Sequence, residues 1–115
     1  LRVVADQVGC PTSTSGLARA CWRVVERELS GVLHWSDAGA ASWYDFAVAI
    51  GELAEESGAL GRAAQVLPIS TLAYPTLAKR PAYSLLDCSS SRELLGLMPK
   101  HWRQALREVI ADVES

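Results

Sequence analysis

Two cations in a proline-flanked loop are the residues best suited to bind a ligand. Lys79 and Arg80 directly precede Pro81, and Tyr83 follows two residues later. A guanidinium held in a rigid loop can donate two parallel hydrogen bonds to a phosphate group. The alternative is that both cations only keep the loop soluble or pair with a surface carboxylate. A small anionic ligand is therefore one of two interpretations that these residues leave open.

The motifs do not indicate dinucleotide binding or carbonyl reduction. None of the eight glycines forms a G-x-G pair and no G-x-x-x-x-G-K run occurs, so the sequence lacks a phosphate-binding glycine loop. A reductase commonly places a tyrosine four residues before a lysine, so that one helix face offers a proton donor and a cation. Here the three tyrosines are followed at that spacing by Val48, Ala78 and Asp87. We expect no catalytic and no cofactor-binding residue in the chain.

Nucleophilic and metal chemistry are also not favoured. Cys10, which follows a glycine, could form a nucleophilic pair with His34. We favour a packed thiol and a hydrogen-bonded core imidazole, because no third group that would orient the histidine is indicated. The three cysteines are odd in number and lack C-x-x-C spacing, which predicts free thiols. Glu52, Glu55 and Glu56 fit a solvated helix face, so we expect no metal site.

Three tryptophans have the ring size needed to stack on a nucleobase. They are Trp35, Trp43 and Trp102. Single aromatic residues at helical or strand spacing are more typical of a hydrophobic core. We therefore interpret all three as packing residues.

Composition predicts one globular domain with a single core. The chain has 115 residues, of which 50% are hydrophobic and 21% charged, and its net charge is -2. This charge balance makes nucleic acid or an anionic membrane an unexpected general partner. No apolar run approaches the roughly 18 to 20 residues of a membrane helix, and we expect a cytoplasmic protein. Because the chain enters a strand-like run at Leu1, we expect a piece that starts in mid-fold.

The first half predicts a strand, a turn and two helices. Leu1–Ala5 is rich in β-formers, and Gly9 and Pro11 mark the loop after it. A helix follows the possible caps at 13–15 and ends before Gly31, and Ser42 caps a second helix that ends at Gly58. The run 31–35 has the composition of a short strand. The predicted apolar face of the first helix is Ala18, Cys21, Trp22, Val25 and Leu29; that of the second is Phe46, Ala47, Ile50, Leu53 and Ala54.

The second half predicts two extended runs, a long loop and two helices. Gln65–Ile69 reads as an edge strand because it contains a proline, and 70–81 is a long loop of the kind that often carries function. The run 84–87 looks extended, and a short helix reaches Leu95. The last helix carries the apolar stripe Trp102, Ala105, Leu106, Val109, Ile110 and Val113. The predicted class is α/β, with short strands between helices.

Five short blocks follow one another along the chain: DQVGCPT at 6–12, LHWS at 33–36, SWYDFA at 42–47, IST at 69–71 and YPTLAKRPAYSLLD at 74–87. Taken in this order, they resemble the C-terminal part of the dTDP-4-dehydrorhamnose reductase family. That family belongs to the extended short-chain dehydrogenase/reductases. The blocks, with the closing tryptophan-bearing helix, cover nearly the whole chain.

The resemblance implies a longer enzyme of which these residues are one part. The full-length family reduces the 4-keto group of dTDP-6-deoxy-L-lyxo-4-hexulose with NADPH or NADH, giving dTDP-L-rhamnose for cell-surface polysaccharide. Its glycine-rich turn and its tyrosine/lysine dyad lie upstream of the block that begins at Asp6. Residues 1–115 would then be a single substrate-binding lobe, a small mixed α/β C-terminal lobe of a Rossmann-type enzyme without its Rossmann half. We expect this piece alone to be inactive, with a dTDP-sugar and the absent Rossmann domain as its partners.

The resemblance also assigns expected roles to residues. Arg80 would face the nucleotide-sugar diphosphate, with Lys79 and Tyr83 as neighbours. The turn residues Gly9, Pro11 and Thr12 would complete the substrate-binding set.

Two points leave alternatives open. Some family members hold Mg²⁺ at a dimer contact through an acidic residue early in the helix after the proline-threonine turn. This chain has no carboxylate there before Glu26, which disfavours a metal-bridged dimer and leaves a plain homodimer open.

A non-catalytic relative, such as the regulatory beta subunit of methionine adenosyltransferase, shares similar motifs, as does another nucleotide-sugar reductase or epimerase. Trp43 and Ser84 within their blocks favour the reductase.

Overall fold

The computed structural model describes residues 1–114 and has a mixed α/β architecture. Over these residues the chain has four short strands and four α-helices, so the predicted α/β class is confirmed. The strands are β1 (Arg2–Val4), β2 (Val8–Gly9), β3 (Ala41–Ser42) and β4 (Leu67–Ile69). The helices are α1 (Thr14–Glu26), α2 (Trp43–Ser57), α3 (Ser89–Leu95) and α4 (Trp102–Glu114), and a 3₁₀ turn covers Thr71–Ala73.

The four strands form two small sheets. β1 and β4 pair in parallel, and β2 and β3 pair antiparallel with Gly9 opposite Ala41. The N–H of Leu67 donates to the carbonyl of Leu1 at 2.7 Å, so the next nitrogen in β4, that of Pro68, points away from β1. A proline is tolerated at such an open edge because no hydrogen bond is lost. The predicted first strand and the predicted proline-containing edge strand are both present.

The core lies between α2 and α4. Leu53 is 2% exposed, and it clusters with buried Trp102 and Leu106 and with partly buried Phe46. The rings of Phe46 and Trp102 meet edge to face, with centroids 6.2 Å apart. The indole N–H of Trp102 donates to the carbonyl of Ala40 at 3.2 Å, which satisfies the polar atom of a buried ring. Within the predicted stripes, the buried residues are Leu53 and Ala54 of α2 and Trp102, Ala105 and Leu106 of α4, while Ile50, Val109 and Val113 are exposed.

Local signals set both ends of α2. The Ser42 hydroxyl accepts the N–H of Asp45 at 3.0 Å, and the Asp45 carboxylate accepts the N–H of Ser42 at 2.8 Å. This reciprocal capping satisfies two backbone donors at the start of the helix. Gly58 ends the helix with φ 86°, a conformation that favours glycine. The helix bounds predicted from Ser42 and Gly58 are confirmed.

The predicted inner face of α1 is wrong. Trp22 and Val25 are 68% and 65% exposed, and Ala18 and Cys21 are exposed as well. The helix instead buries the side that carries Ala20. Two arginines one turn apart explain the rotation: the guanidinium groups of Arg23 and Arg27 donate to the carbonyls of Leu95 (2.9 Å) and Leu94 (2.7 Å) at the end of α3.

Two predicted extended runs form no strand. Residues 31–35 run as irregular backbone, and the N–H of His34 donates to the hydroxyl of Ser91 at 3.0 Å instead of entering a ladder. Residues 84–87 are likewise irregular, although the neighbouring Tyr83 makes one isolated parallel bridge with Val8. Strand propensity is not enough where no partner strand lies alongside.

Candidate functional site

An open cleft of about 460 Å³ lies where three segments of the chain meet. The segments are the turn at 7–12, the start of α2 with the β3 residues before it, and the loop at 80–84. Its volume falls within the range of small-molecule sites, roughly 300 to 1,000 Å³. Its lining includes residues of both the predicted turn and the predicted cationic loop.

Backbone pairing with Val8 brings the cationic loop to the turn. The N–H of Val8 donates to the carbonyl of Ala82 at 2.9 Å, and the N–H of Ser84 donates to the carbonyl of Val8 at 2.8 Å. On its other side, the turn is joined to the start of α2 through the β2–β3 pair. Residues more than 70 positions apart in the chain therefore face one cavity.

Four of the six predicted substrate-binding residues line this cleft. They are Gly9, Pro11, Thr12 and Arg80. The other two, Lys79 and Tyr83, are exposed beside it and are not part of its lining. The structure brings the predicted turn and the predicted arginine together, and it places Lys79 and Tyr83 at the periphery.

Arg80 is an exposed cation that has no carboxylate partner among the described residues. Within the described part of the chain, the ion pairs are Arg23–Glu26, Lys100–Glu108, Arg103–Glu52 and Arg107–Glu56. Neither Arg80 nor Lys79 takes part in them, so pairing with a surface carboxylate does not account for these two cations. The Arg80 guanidinium is available to an anionic ligand in the cleft.

Gly9 is required by close approach of the loop. A Cβ atom at this position would lie 2.9 Å from the Oγ of Ser84, inside van der Waals contact. The Ser84 hydroxyl also donates to the carbonyl of Val8 at 3.3 Å, which limits its freedom to move aside. The absence of a side chain at 9 thus sets the width of the cleft at this point.

The Thr12 hydroxyl is used within the turn. It donates to the carbonyl of Cys10 at 3.1 Å and accepts the N–H of Asp37 at 3.3 Å. With both functions of the hydroxyl occupied, Thr12 shapes the wall of the cleft.

An aromatic wall was missed by the sequence interpretation. Trp43 is 60% exposed at the first position of α2 and lines the cleft with Phe46. The interpretation of Trp43 as a packing residue is therefore wrong, whereas Trp102 is buried as predicted and Trp35 is half-buried. The available signal was position: Trp43 directly follows the cap Ser42, ahead of the apolar stripe.

No nucleophilic pair is formed by Cys10 and His34. The thiol of Cys10 donates to the carbonyl of Asp37 at 3.0 Å, and it packs against the core as expected. Burial raises the pKa of this thiol, and the nearby Asp37 carboxylate raises it further, so the neutral form is favoured. His34 is exposed, so the predicted core imidazole is wrong. No hydrogen bond between the two side chains occurs within residues 1–114.

The described residues contain neither a cluster of metal-binding side chains nor a helix that could span a membrane. Over 1–114, no three side chains of histidine, cysteine, aspartate or glutamate gather closely enough to hold a metal ion. No helix in the same part of the chain is both long and apolar enough to cross a bilayer.

The chain has a small mixed α/β fold with an open cleft of the size of a small-molecule site, and comparison with known proteins identifies its family. The chain belongs to the RmlD substrate-binding domain family, whose model matches residues 1–115. It is 38% identical over 120 residues to the dTDP-4-dehydrorhamnose reductase of Aggregatibacter actinomycetemcomitans, covering 99% of this chain and 41% of that protein. The resemblance seen in the five sequence blocks is confirmed.

Solved structures of dTDP-4-dehydrorhamnose reductases also resemble this chain. A dTDP-4-dehydrorhamnose reductase from Clostridium acetobutylicum superposes with a TM-score of 0.88 and 39% identity, over 100% of this chain and 39% of that one. The reductase from Bacillus anthracis, solved in complex with NADP, superposes with a TM-score of 0.82 and 29% identity, over 97% of this chain and 38% of that one. The chain thus spans about two fifths of the length of the proteins that it matches.

Proposed function

We propose that residues 1–115 form the dTDP-sugar-binding lobe of a cytoplasmic dTDP-4-dehydrorhamnose reductase. The longer enzyme would reduce the 4-keto group of dTDP-6-deoxy-L-lyxo-4-hexulose with NADPH or NADH to give dTDP-L-rhamnose. The family membership and the names of the relatives support this proposal. The observation that carries it is the unpaired Arg80 in a cleft whose volume suits a small ligand.

Arg80 fits the diphosphate of a nucleotide sugar. Its guanidinium can donate two parallel hydrogen bonds to phosphate oxygens, and no carboxylate of the described residues competes for it. Lys79 lies next to it in sequence and adds a second positive charge at the edge of the cleft. The dianionic group would therefore be bound at the loop, leaving the two ends of the ligand to the remaining walls.

The other walls differ in chemistry. Trp43 and Phe46 offer aromatic surface suited to a flat base or the apolar face of a sugar ring. The turn residues Gly9 and Pro11 also line the cleft, and at Gly9 no side chain covers the backbone. A site with one charged group, aromatic surface and accessible backbone matches the parts of a nucleotide sugar.

The residues of this chain do not fit a dinucleotide cofactor. The sequence has no G-x-G turn and no tyrosine four residues before a lysine. In the proposed enzyme, cofactor binding and proton donation belong to a Rossmann domain outside these residues, and the nicotinamide supplies the hydride when bound there. The role of this chain is to bind the diphosphate and orient the sugar, and alone it does not turn over.

Calorimetric titration tests the proposal. We expect the chain to bind dTDP and dTDP-rhamnose and not NADPH. Arg80→Ala should weaken dTDP binding by roughly 10- to 100-fold, because a hydrogen bond to a charged group contributes about 1.5–3 kcal/mol. Arg62→Ala is the matched control, since Arg62 is exposed and lies outside the cleft. Equal dTDP affinity of the Arg80→Ala and Arg62→Ala proteins would refute the role of Arg80.

The non-catalytic alternative is separated by a second assay. The longer protein is supplied with NADPH and the 4-keto sugar nucleotide, and absorbance of the reduced nicotinamide is followed. Oxidation of NADPH dependent on the sugar nucleotide supports the reductase. Binding of dTDP without any turnover would instead identify a binding or regulatory relative.

A further inference from the structure

Asp37 is a buried carboxylate directly behind the turn that lines the cleft. It is 3% exposed and is not part of the cleft lining. One carboxylate oxygen accepts the N–H of Ser13 at 2.9 Å. Its backbone N–H donates to the Thr12 hydroxyl at 3.3 Å, and its carbonyl accepts the thiol of Cys10 at 3.0 Å. Asp37 thus makes hydrogen bonds to three of the four residues from 10 to 13, namely Cys10, Thr12 and Ser13.

The position suits a carboxylate for two reasons. Ser13 caps α1, so its N–H lies at the positive end of a 13-residue helix, where negative charge is stabilised. The first turn of α1 also leaves room for the carboxylate: a Cβ on Gly16 would lie 3.1 Å from the second carboxylate oxygen of Asp37 and 2.9 Å from the Ser13 hydroxyl. A buried charge needs such partners to offset its loss of hydration.

We propose that Asp37 is a positioning residue for the sugar-nucleotide site. It does not contact the ligand. It fixes the backbone of the 9–12 turn, which lines the cleft together with Arg80, so that the cleft is formed before the ligand arrives and the ligand need not order the turn. The identity of the ligand rests on the proposed function, whereas the ordering of the turn by Asp37 does not.

Three variants test this role. Asp37→Ala removes the acceptor of the Ser13 N–H, and Asp37→Asn keeps an oxygen acceptor while removing the charge. Asp87→Ala is the matched control, because Asp87 accepts the N–H and hydroxyl of Ser89 (3.0 and 2.6 Å) at the start of α3 and is outside the cleft lining. The dissociation constant for dTDP is measured by calorimetry at a temperature where circular dichroism shows every variant folded.

The expected pattern separates positioning from general stability. Asp37→Ala should weaken dTDP binding about tenfold, Asp37→Asn should recover most of the loss, and Asp87→Ala should stay within about twofold of the parent. Amide hydrogen exchange without ligand should speed up at residues 9–13 in Asp37→Ala while α2 and α4 keep the protection of the parent. Unchanged dTDP affinity, or faster exchange spread evenly over all helices, would overturn the proposal.

Two further outcomes are distinguishable. If the parent chain does not bind dTDP, the proposed function fails, and the exchange experiment still decides whether Asp37 orders the turn. If Asp37→Ala does not fold, Thr12→Val replaces it, since it removes only the hydroxyl between Cys10 and Asp37. We then expect about threefold weaker dTDP binding and faster exchange at 9–13. Parent-like values for both measurements would overturn the proposal.

Discussion

Substitution of Gly9 by alanine probes the closest approach between the turn and the cationic loop. The new methyl group would lie 2.9 Å from the Oγ of Ser84. That hydroxyl is itself held by its hydrogen bond to the Val8 carbonyl, and the adjacent N–H of Ser84 bonds the same carbonyl. Relief of the clash therefore requires either loss of a side-chain hydrogen bond or separation of the two segments.

The expected cost follows from these contacts. Overpacking by one methyl group typically destabilises by about 1–3 kcal/mol, and the lower chain entropy of alanine returns about 0.4–1 kcal/mol. We expect Gly9→Ala to lower the free energy of unfolding by about 1 kcal/mol. Ser84→Ala alone should cost about 0.5–1.5 kcal/mol for its lost hydrogen bond. Because the double variant removes the clashing oxygen, its cost should be smaller than the sum of the two single costs by about 1 kcal/mol.

Urea denaturation of the parent, both single variants and the double variant measures this coupling. dTDP titrations of the same four proteins should show weaker binding for Gly9→Ala and partial recovery in the double variant. Additive free energies of unfolding within about 0.3 kcal/mol, with unchanged dTDP affinity for Gly9→Ala, would refute the close approach.

Three more predictions concern stability. Leu53→Ala should lower the free energy of unfolding by about 2–5 kcal/mol, measured by urea denaturation, because Leu53 is 2% exposed between α2 and α4. Trp22→Ser should change it by no more than about 0.5 kcal/mol in the same assay, because the ring is 68% exposed. Asp87→Asn should destabilise at neutral pH but not at strongly acidic pH. The side chain and then the N–H of Ser89 hold the pKa of Asp87 below its ordinary 3.8, so its contribution to stability is present above that value and lost as pH falls through the folded-state pKa.

Each of these predictions has a distinct contrary result. A Leu53→Ala protein as stable as the parent would contradict the described core. A loss above 2 kcal/mol for Trp22→Ser, at a protein concentration low enough to suppress self-association, would mean that the ring is covered within the chain. A pH-independent difference between parent and Asp87→Asn would show that the carboxylate charge does not support the start of α3.

The elements that the sequence predicted well are those with local signals. The ends of α2 follow from Ser42 and Gly58, which act on their own backbone. The stripe on α4 is buried as predicted only in its first part, where Trp102 and Leu106 face a second apolar helix, and Val109 and Val113 are exposed. For α1, periodicity alone predicted the wrong buried side. The helix has the predicted apolar face, but Arg23 and Arg27 donate hydrogen bonds to carbonyls about 70 residues away, and the opposite side is buried.

The sequence likewise predicted only part of the candidate site. The residue types of Arg80 and of the turn were visible in the sequence, and the family resemblance grouped them. Their meeting depends on pairing between Val8 and residues 82 and 84, which no local pattern encodes. The buried role of Asp37 was not predicted, because it arises only from contacts with Cys10, Thr12 and Ser13, more than 20 residues away in the chain.

The most direct test of the central claim is a heteronuclear NMR titration of the isotope-labelled chain with dTDP. If the cleft binds the nucleotide diphosphate, the Nε–H signal of Arg80, the indole N–H of Trp43 and the amide of Gly9 should shift together and saturate. The indole signals of exposed Trp22 and buried Trp102 serve as internal controls and should stay in place. No saturable shift at Arg80 and Trp43, or shifts confined to α1 around Trp22, would contradict the assignment of this cleft as the dTDP-sugar site.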